Sequence, residues 1–298
     1  MRLRGLALSA ITGLVTVFGA GTAALAQGAD NLLASDVAGK PVPGGLHFQR
    51  PVTPVMEDLV WLDTFMHAIM IAITLLVVVL IGIIVVRYNR KANPKAATFT
   101  HHPLLEIAWT ALPVLILIVI AIPSLKLLFF QMNVPPEPDV TIKATGNQWY
   151  WSYEYPDEGI EFSSIMLQPE ELEEYGYEPD EYLLATDTRV VVPVNAVVHV
   201  LVTASDVIHA WTIPSFGSKI DAMPGRMNET WFQATEPGVY FGQCSELCGL
   251  NHAYMPIVVQ VVEQEDYDTW VAEQQAQNDT PNGAPNETAP RTQVAAAE

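Results

Sequence analysis

Four residues whose side chains suit a soft metal crowd into twelve positions: Cys244, Cys248, His252 and Met255. A further candidate, His209, lies 35 residues before the first cysteine, after an apolar stretch. Thiolate, imidazole and thioether together select copper, and two His, one Cys and a weak Met form the ligand set of single-copper electron-transfer sites. This sequence carries a second cysteine. One copper of that kind needs one thiolate, whereas two thiolates four residues apart on one loop can each bridge two ions. That arrangement suits a compact dicopper unit that shares an electron and reorganises little on transfer. Two other readings stand beside it. A Cys244–Cys248 disulfide fits an exported protein, and zinc also takes Cys and His, although it does not use methionine. His47, His67, His101, His102 and His199 read as structural.

The elements that must hold these residues follow from the patterning. Residues 136–265 contain short β-branched runs: Val140 to Ala144, Arg189 to Val192, Val197 to Val202, Thr230 to Gln233 and Met255 to Val262. Pro, Gly and Asp turns separate them, which predicts an all-β Greek-key sandwich. No crossover helices intervene, which argues against a parallel α/β sheet. Residues 168–181 form an acidic insertion, and the polar tail 266–298 is expected to be partly disordered.

Upstream, Phe65 to Val86 and Ile107 to Phe130 are almost wholly apolar. Each reaches the roughly 20 residues that a transmembrane helix needs. They predict a membrane α-hairpin with helices over 61–86 and 107–130. Pro113 and Pro123 are tolerable there, and Lys126 can snorkel to the interface. The loop 87–106 carries Arg87, Arg90, Lys91 and Lys95, and short basic loops stay cytoplasmic. Residues 1–26 read as a signal peptide: Arg2 and Arg4, an apolar stretch, then Ala24-Leu25-Ala26 before Gln27. Residues 27–60 read as an exported extended segment lying on a partner. Both signals put the N-terminus and the β-domain outside.

The formal net charge of −19 argues against nucleic acid, because phosphate binding needs clustered bases. It favours a basic partner, which a field of one sign steers in. Acids are dense from residue 137 to 187.

Gly242-Gln243-Cys244-Ser245-Glu246-Leu247-Cys248-Gly249-Leu250-Asn251-His252-Ala253-Tyr254-Met255-Pro256 closely resembles the copper A loop of cytochrome c oxidase subunit II. Gln148-Trp149-Tyr150-Trp151-Ser152-Tyr153-Glu154-Tyr155, Asp206-Val207-Ile208-His209-Ala210-Trp211 and Asp221-Ala222-Met223-Pro224-Gly225-Arg226 resemble the same family. The likeness covers nearly the whole chain and implies a cupredoxin-like fold for the β-domain.

By position, the resemblance implies copper ligands at His209, Cys244, Cys248, His252, Met255 and the Glu246 carbonyl. It further implies a Mg²⁺ shared with subunit I on the Glu246 carboxylate, and transfer of electrons from cytochrome c at Trp149. Glu154, Asp187 and Asp206 match the cytochrome c docking acids, and Glu106 the proton-uptake glutamate of the K pathway. The implied partners are subunit I, with haem a, haem a3 and CuB, then subunit III, cytochrome c and membrane lipid. The implied setting is a bacterial inner membrane, with the copper domain periplasmic. Asn147 departs from the family, which often has His there; the position is not a ligand. Quinol oxidase subunits share this fold but lack the copper ligands, and a copper-delivery protein would need no two-helix anchor.

Overall fold

Thr53 starts the first helix, and it does so inside the β-domain. In the computed structural model, which describes residues 39–95 and 97–278, helix α1 spans Pro54–Arg87. The Thr53 hydroxyl accepts from Met56 N at 3.1 Å and donates to Phe216 O at 2.8 Å. A side chain that satisfies a free helix N–H at the cap stabilises it by about 1 kcal/mol. At 34 residues, α1 is about 51 Å long. It outruns a hydrocarbon core of about 30 Å, so its first turn is free to bury Val55 and Met56 in the domain.

Helix α2 spans Pro103–Met132 and continues through Pro113 and Pro123. Both helices are longer than the spans expected from the sequence, 61–86 and 107–130, because capped polar turns extend them beyond the apolar stretch. Their apolar side chains are exposed almost all round, the pattern of a lipid-facing helix. The joint to the domain is a cluster of Val55, Leu127 and Trp231. Trp231 Nε1 donates to Phe130 O at 3.3 Å, and the two rings meet edge-on.

Ten strands follow: β1 Val140–Asn147, β2 Tyr150–Tyr155, β3 Ile160–Ser164, β4 Val190–Pro193, β5 Val198–Ala204, β6 His209–Ile213, β7 Ser218–Ala222, β8 Asn228–Phe232, β9 Gly238–Gln243 and β10 Pro256–Val262. They form a five-stranded sheet in the order β3-β2-β1-β5-β8, a three-stranded sheet β4-β10-β9 and a hairpin β6-β7. Strands β1/β5 and β4/β10 pair in parallel, the others antiparallel. This is the expected β-sandwich, in which non-consecutive neighbours mark the crossovers. Alternating burial along β1 and β5 puts Ile142, Ala144, Val200 and Val202 into the core. Opposite them lie Tyr240, Ile257 and Val259. The Tyr155 hydroxyl closes the far end by bonding both N and O of Val191.

The acidic insertion is folded. Leu172 and Tyr177 bury against Phe241 and Val258, Arg189 lies 4.4 Å from the centre of the Tyr177 ring, and Lys40 ties the N-terminal segment to Asp180 at 2.6 Å. The packed unit also runs past residue 265. Helix α3, Gln264–Asn278, stands where the sequence suggested a partly disordered tail. Its mean composition is polar, but Tyr267 and Trp270 fall one turn apart and cover Tyr155 and Phe162. Residues 279–298 and the expected signal peptide 1–26 lie outside the described residues.

The Trp270 contact is testable. Trp→Ala in a full core costs about 3–5 kcal/mol, and Trp270 is only partly buried. Trp270→Ala is therefore expected to destabilise the extramembrane domain by about 1–3 kcal/mol. Denaturant unfolding of the full chain in detergent measures it; an unchanged midpoint would mean that α3 rests on the domain without supporting it.

Candidate metal centre

The loop that carries the cysteines is pinned at both ends by a strand pair. Gln243 at the end of β9 faces Pro256 at the start of β10, and Cys244 N donates to Met255 O at 3.3 Å. Ser245 N donates to Ala210 O on β6, bringing His209 alongside. Trp151, fully buried, donates from Nε1 to Met255 O at 3.4 Å. Backbone and core therefore place this loop before any ion is considered.

Inside it, Cys244 Sγ and Cys248 Sγ are 3.8 Å apart. A disulfide needs about 2.05 Å, so these are free thiols. His209 Nδ1 lies 3.8 Å from Cys244 Sγ, and the Glu246 carbonyl oxygen lies 3.3 Å from it. On the other sulfur, His252 Nδ1 is at 3.6 Å and Met255 Sδ at 3.5 Å. All six donors expected from the sequence converge. The donor atoms of His209, Cys244 and Cys248 lie within 4.8 Å of one another, and all three residues are buried. Half the sulfur separation is about 1.9 Å, shorter than a metal–thiolate bond of about 2.3 Å. Both sulfurs can therefore reach a common metal ion lying off the line that joins them.

The thiols are electrostatically unequal. Burial disfavours the Cys244 thiolate, but hydrogen bonds from His209 and from the backbone around Glu246 and Ala210 outweigh it, and the thiol falls to about 6. Burial and the charge on Cys244 push Cys248 up to about 12. The first proton leaves readily and the second needs compensating positive charge. Soft donors, a buried sulfur pair and that unmet charge fit copper.

Around the centre, each residue singled out by sequence has a definite place. Trp149 sits in the two-residue turn between β1 and β2, not within a strand. It is partly buried, and its indole packs on Gly249, where an added Cβ would lie 3.2 Å from Cζ2. Its neighbour Gln148 donates from Nε2 to Cys248 O at 2.8 Å. Tyr150 is half-buried and Trp151 turns wholly inward. Asn147 bonds Thr145 O, Ser152 and Ser205, fixing the base of the turn.

The three acids that the sequence resemblance marks for docking are all engaged within the chain. Glu154 pairs with Lys143 at 2.5 Å. Asp187 is half-buried and accepts from Ile165 N at 2.8 Å; burial raises its carboxyl above the usual range. Asp206 accepts from His209 Nε2 at 2.9 Å, a contact that sequence reasoning missed. Despite partial burial, this bond and two backbone N–H groups lower the Asp206 carboxyl. Its spacing of three residues before His209 was the available signal. The Glu246 side chain is exposed. Glu106 is remote, in the first turn of α2, where Oε1 accepts from His102 N at 3.0 Å. It borders an apolar groove of about 630 Å³ with Pro103, Ile107, Thr110 and Val114.

Known proteins similar to this chain identify its family. The family described as cytochrome C oxidase subunit II, periplasmic domain, matches residues 140–262, and the corresponding transmembrane domain matches residues 41–127. Cytochrome c oxidase subunit 2 of Cereibacter sphaeroides is 51% identical over 250 residues, covering 79% of this chain and 82% of its own length. A probable cytochrome c oxidase subunit 2 of Rickettsia felis is 48% identical over 237 residues, covering 79% of this chain and 73% of its own length. The crystal structure of the periplasmic domain of subunit II of cytochrome oxidase of Bradyrhizobium japonicum is 52% identical, with a TM-score of 0.44, and covers 49% of this chain and 99% of that one. A two-helix anchor, a β-sandwich and a buried dithiol loop thus stand in a chain that belongs to the cytochrome c oxidase subunit II family.

Proposed function

We propose that this chain receives electrons from cytochrome c at a dinuclear copper A centre and passes them to haem a of subunit I, where oxygen is reduced to water with proton pumping. The observation that carries this reading is the convergence of four further donors on two sulfurs 3.8 Å apart. Cys244, Cys248, His209, His252, Met255 and the Glu246 carbonyl would hold the ions. Bound there, the copper pair supplies one-electron transfer with the charge spread over two ions.

The chain's own residues do the rest. Burial of His209, Cys244, Cys248 and Met255 excludes water, and the β9–β10 pairing holds the sulfurs whether or not the charge changes. A site that does not relax on gaining an electron has a low barrier to transfer. Trp149 lies over the loop and links the surface to Cys248 through Gln148. Exposed Leu247 and Leu250 flank the exposed Glu246, so this rim would meet a partner. The Glu246 carboxylate is our proposed ligand for a Mg²⁺ shared with subunit I, and Glu106 our proposed point of proton uptake into the K pathway. Subunit III, cytochrome c and lipid complete the proposed partners. The basic loop 87–106 would face the cytoplasm and the copper domain the periplasm of a bacterial inner membrane, after removal of residues 1–26.

Copper loading is the primary test. The full chain is expected to bind two coppers and show one spin signal shared by both, and Cys244→Ser or Cys248→Ser is expected to abolish it. A stoichiometry of one would remove the dinuclear reading.

Electron transfer and docking separate kinetically. An aromatic residue at the centre of an interface can couple electronically, whereas rim charges mainly set the encounter rate. Trp149→Gln is expected to slow transfer within the bound complex by an order of magnitude or more, with KM for cytochrome c little changed. Glu154→Gln is expected to raise KM and flatten its salt dependence. Stopped-flow reduction of the assembled oxidase at two ionic strengths distinguishes them. Were Trp149→Gln to alter KM alone, Trp149 would be a docking residue.

A further inference from the structure

The Asp206 carboxylate is bonded on both oxygens into the frame of the metal centre. Oδ1 accepts from His209 Nε2 at 2.9 Å and from Val207 N at 2.6 Å. Oδ2 accepts from Gln148 N at 2.7 Å. A neutral imidazole carries one N–H. With that proton on Nε2, donated to Asp206, the Nδ1 lone pair faces Cys244 Sγ. The ring cannot escape sideways: His209 is fully buried, and a Cβ on Gly146 would lie only 2.8 Å from its Cδ2. Gly146 on one side and Asp206 on the other thus fix both the plane of the ring and its free nitrogen. The second oxygen reaches another part of the site, since Gln148 N belongs to the turn that carries Trp149. Gln148 is itself bound to the cysteine loop through Cys248 O. A carboxylate serving only as a surface charge for an incoming partner would not need three donors.

We propose that Asp206 is a positioning residue for the metal centre: it sets the tautomer and orientation of His209 and locks the Trp149 turn to that ligand. The role toward copper rests on the function proposed above; the tautomer and the turn do not. Metal-bound histidines commonly donate their second N–H to a carboxylate, and losing that partner costs about 10–100-fold in affinity or activity. The same residue can still add a charge to the docking surface, because its side chain is 32% exposed. The two roles predict different losses.

The experiment uses the full chain in detergent, with Asp206→Ala, Asp206→Asn and, as a docking-only comparator, Glu154→Gln. In the metal-free chain, nitrogen NMR of His209 is expected to show the Nε2–H form in the wild type and a mixed or shifted population in Asp206→Ala. In the copper-loaded chain, Asp206→Ala is expected to change the imidazole hyperfine coupling and shift the reduction potential, and to weaken copper retention about tenfold or more. Glu154→Gln is expected to leave all three at their wild-type values. Asparagine keeps the volume but offers one acceptor. In Asp206→Asn, therefore, either the His209 signal moves or the Gln148 amide exchanges faster with solvent. Wild-type His209 signals, amide exchange and copper spectrum in both Asp206 variants, with KM for cytochrome c raised as in Glu154→Gln, would overturn the proposal and leave Asp206 a docking charge. A copper count other than two alongside an altered His209 signal in Asp206→Ala would refute the copper reading while supporting the positioning role.

Discussion

Two sulfurs held 3.8 Å apart in a buried loop are the constraint on which the rest of this structure turns. Two unit charges at that distance repel by about 4 kcal/mol at an effective dielectric constant of about 20. The pair therefore resists becoming a dithiolate unaided: burial first, and then the charge on Cys244, raise the Cys248 thiol. An unbraced loop would let the two sulfurs drift apart. This one is fixed by the β9–β10 pair, by Ser245 on β6 and by Trp151 beneath Met255. The fold supplies proximity, and bound cations would supply the missing charge.

The same economy governs the joint with the membrane. Neither long helix packs much of its length inside the chain, and both enter the domain through a few residues at their outer ends. Thr53 caps α1 while bonding Phe216 O, and Trp231 bonds the last turn of α2. The two helices are therefore tied to the β-domain at the ends nearest it. The lipid-facing surfaces stay free for neighbouring subunits.

Much of this was legible in the sequence. The metal ligands were readable because soft side chains at short spacing are rare outside metal loops, and the anchor because its apolar runs are unbroken. Strand existence was clear where β-branched runs alternate, as in β1 and β5. The hairpin β6–β7 was not, since Trp211, Pro214 and Gly217 interrupt any period. Helix α3 was hidden because, among its described residues, only Tyr267, Trp270 and Val271 bear on the core and the surrounding residues are polar or acidic. Trp149 sits in a turn although the run Trp149-Tyr150-Trp151 alternates as a strand would; the register Asn147↔Tyr150 shows where the chain reverses.

Charge is the property for which sequence and structure diverge most instructively. Acids are so numerous that a net −19 invites assignment of individual docking residues, yet three such residues already have work inside the chain. Asp187 completes the turn after β3, Glu154 answers Lys143 across a strand pair, and Asp206 holds His209. Hydrogen bonding does not remove a carboxylate's charge, but it fixes where the charge sits. A docking field built from such groups is rigid and needs no ordering when a partner arrives. Free acids such as Glu170 and Glu173 are exposed, add to long-range steering and are screened beyond about 10 Å at moderate salt. Under the function proposed above, attraction at a distance would thus be a property of the whole acidic surface, while orientation over Trp149 would depend on the few acids that the fold has already immobilised.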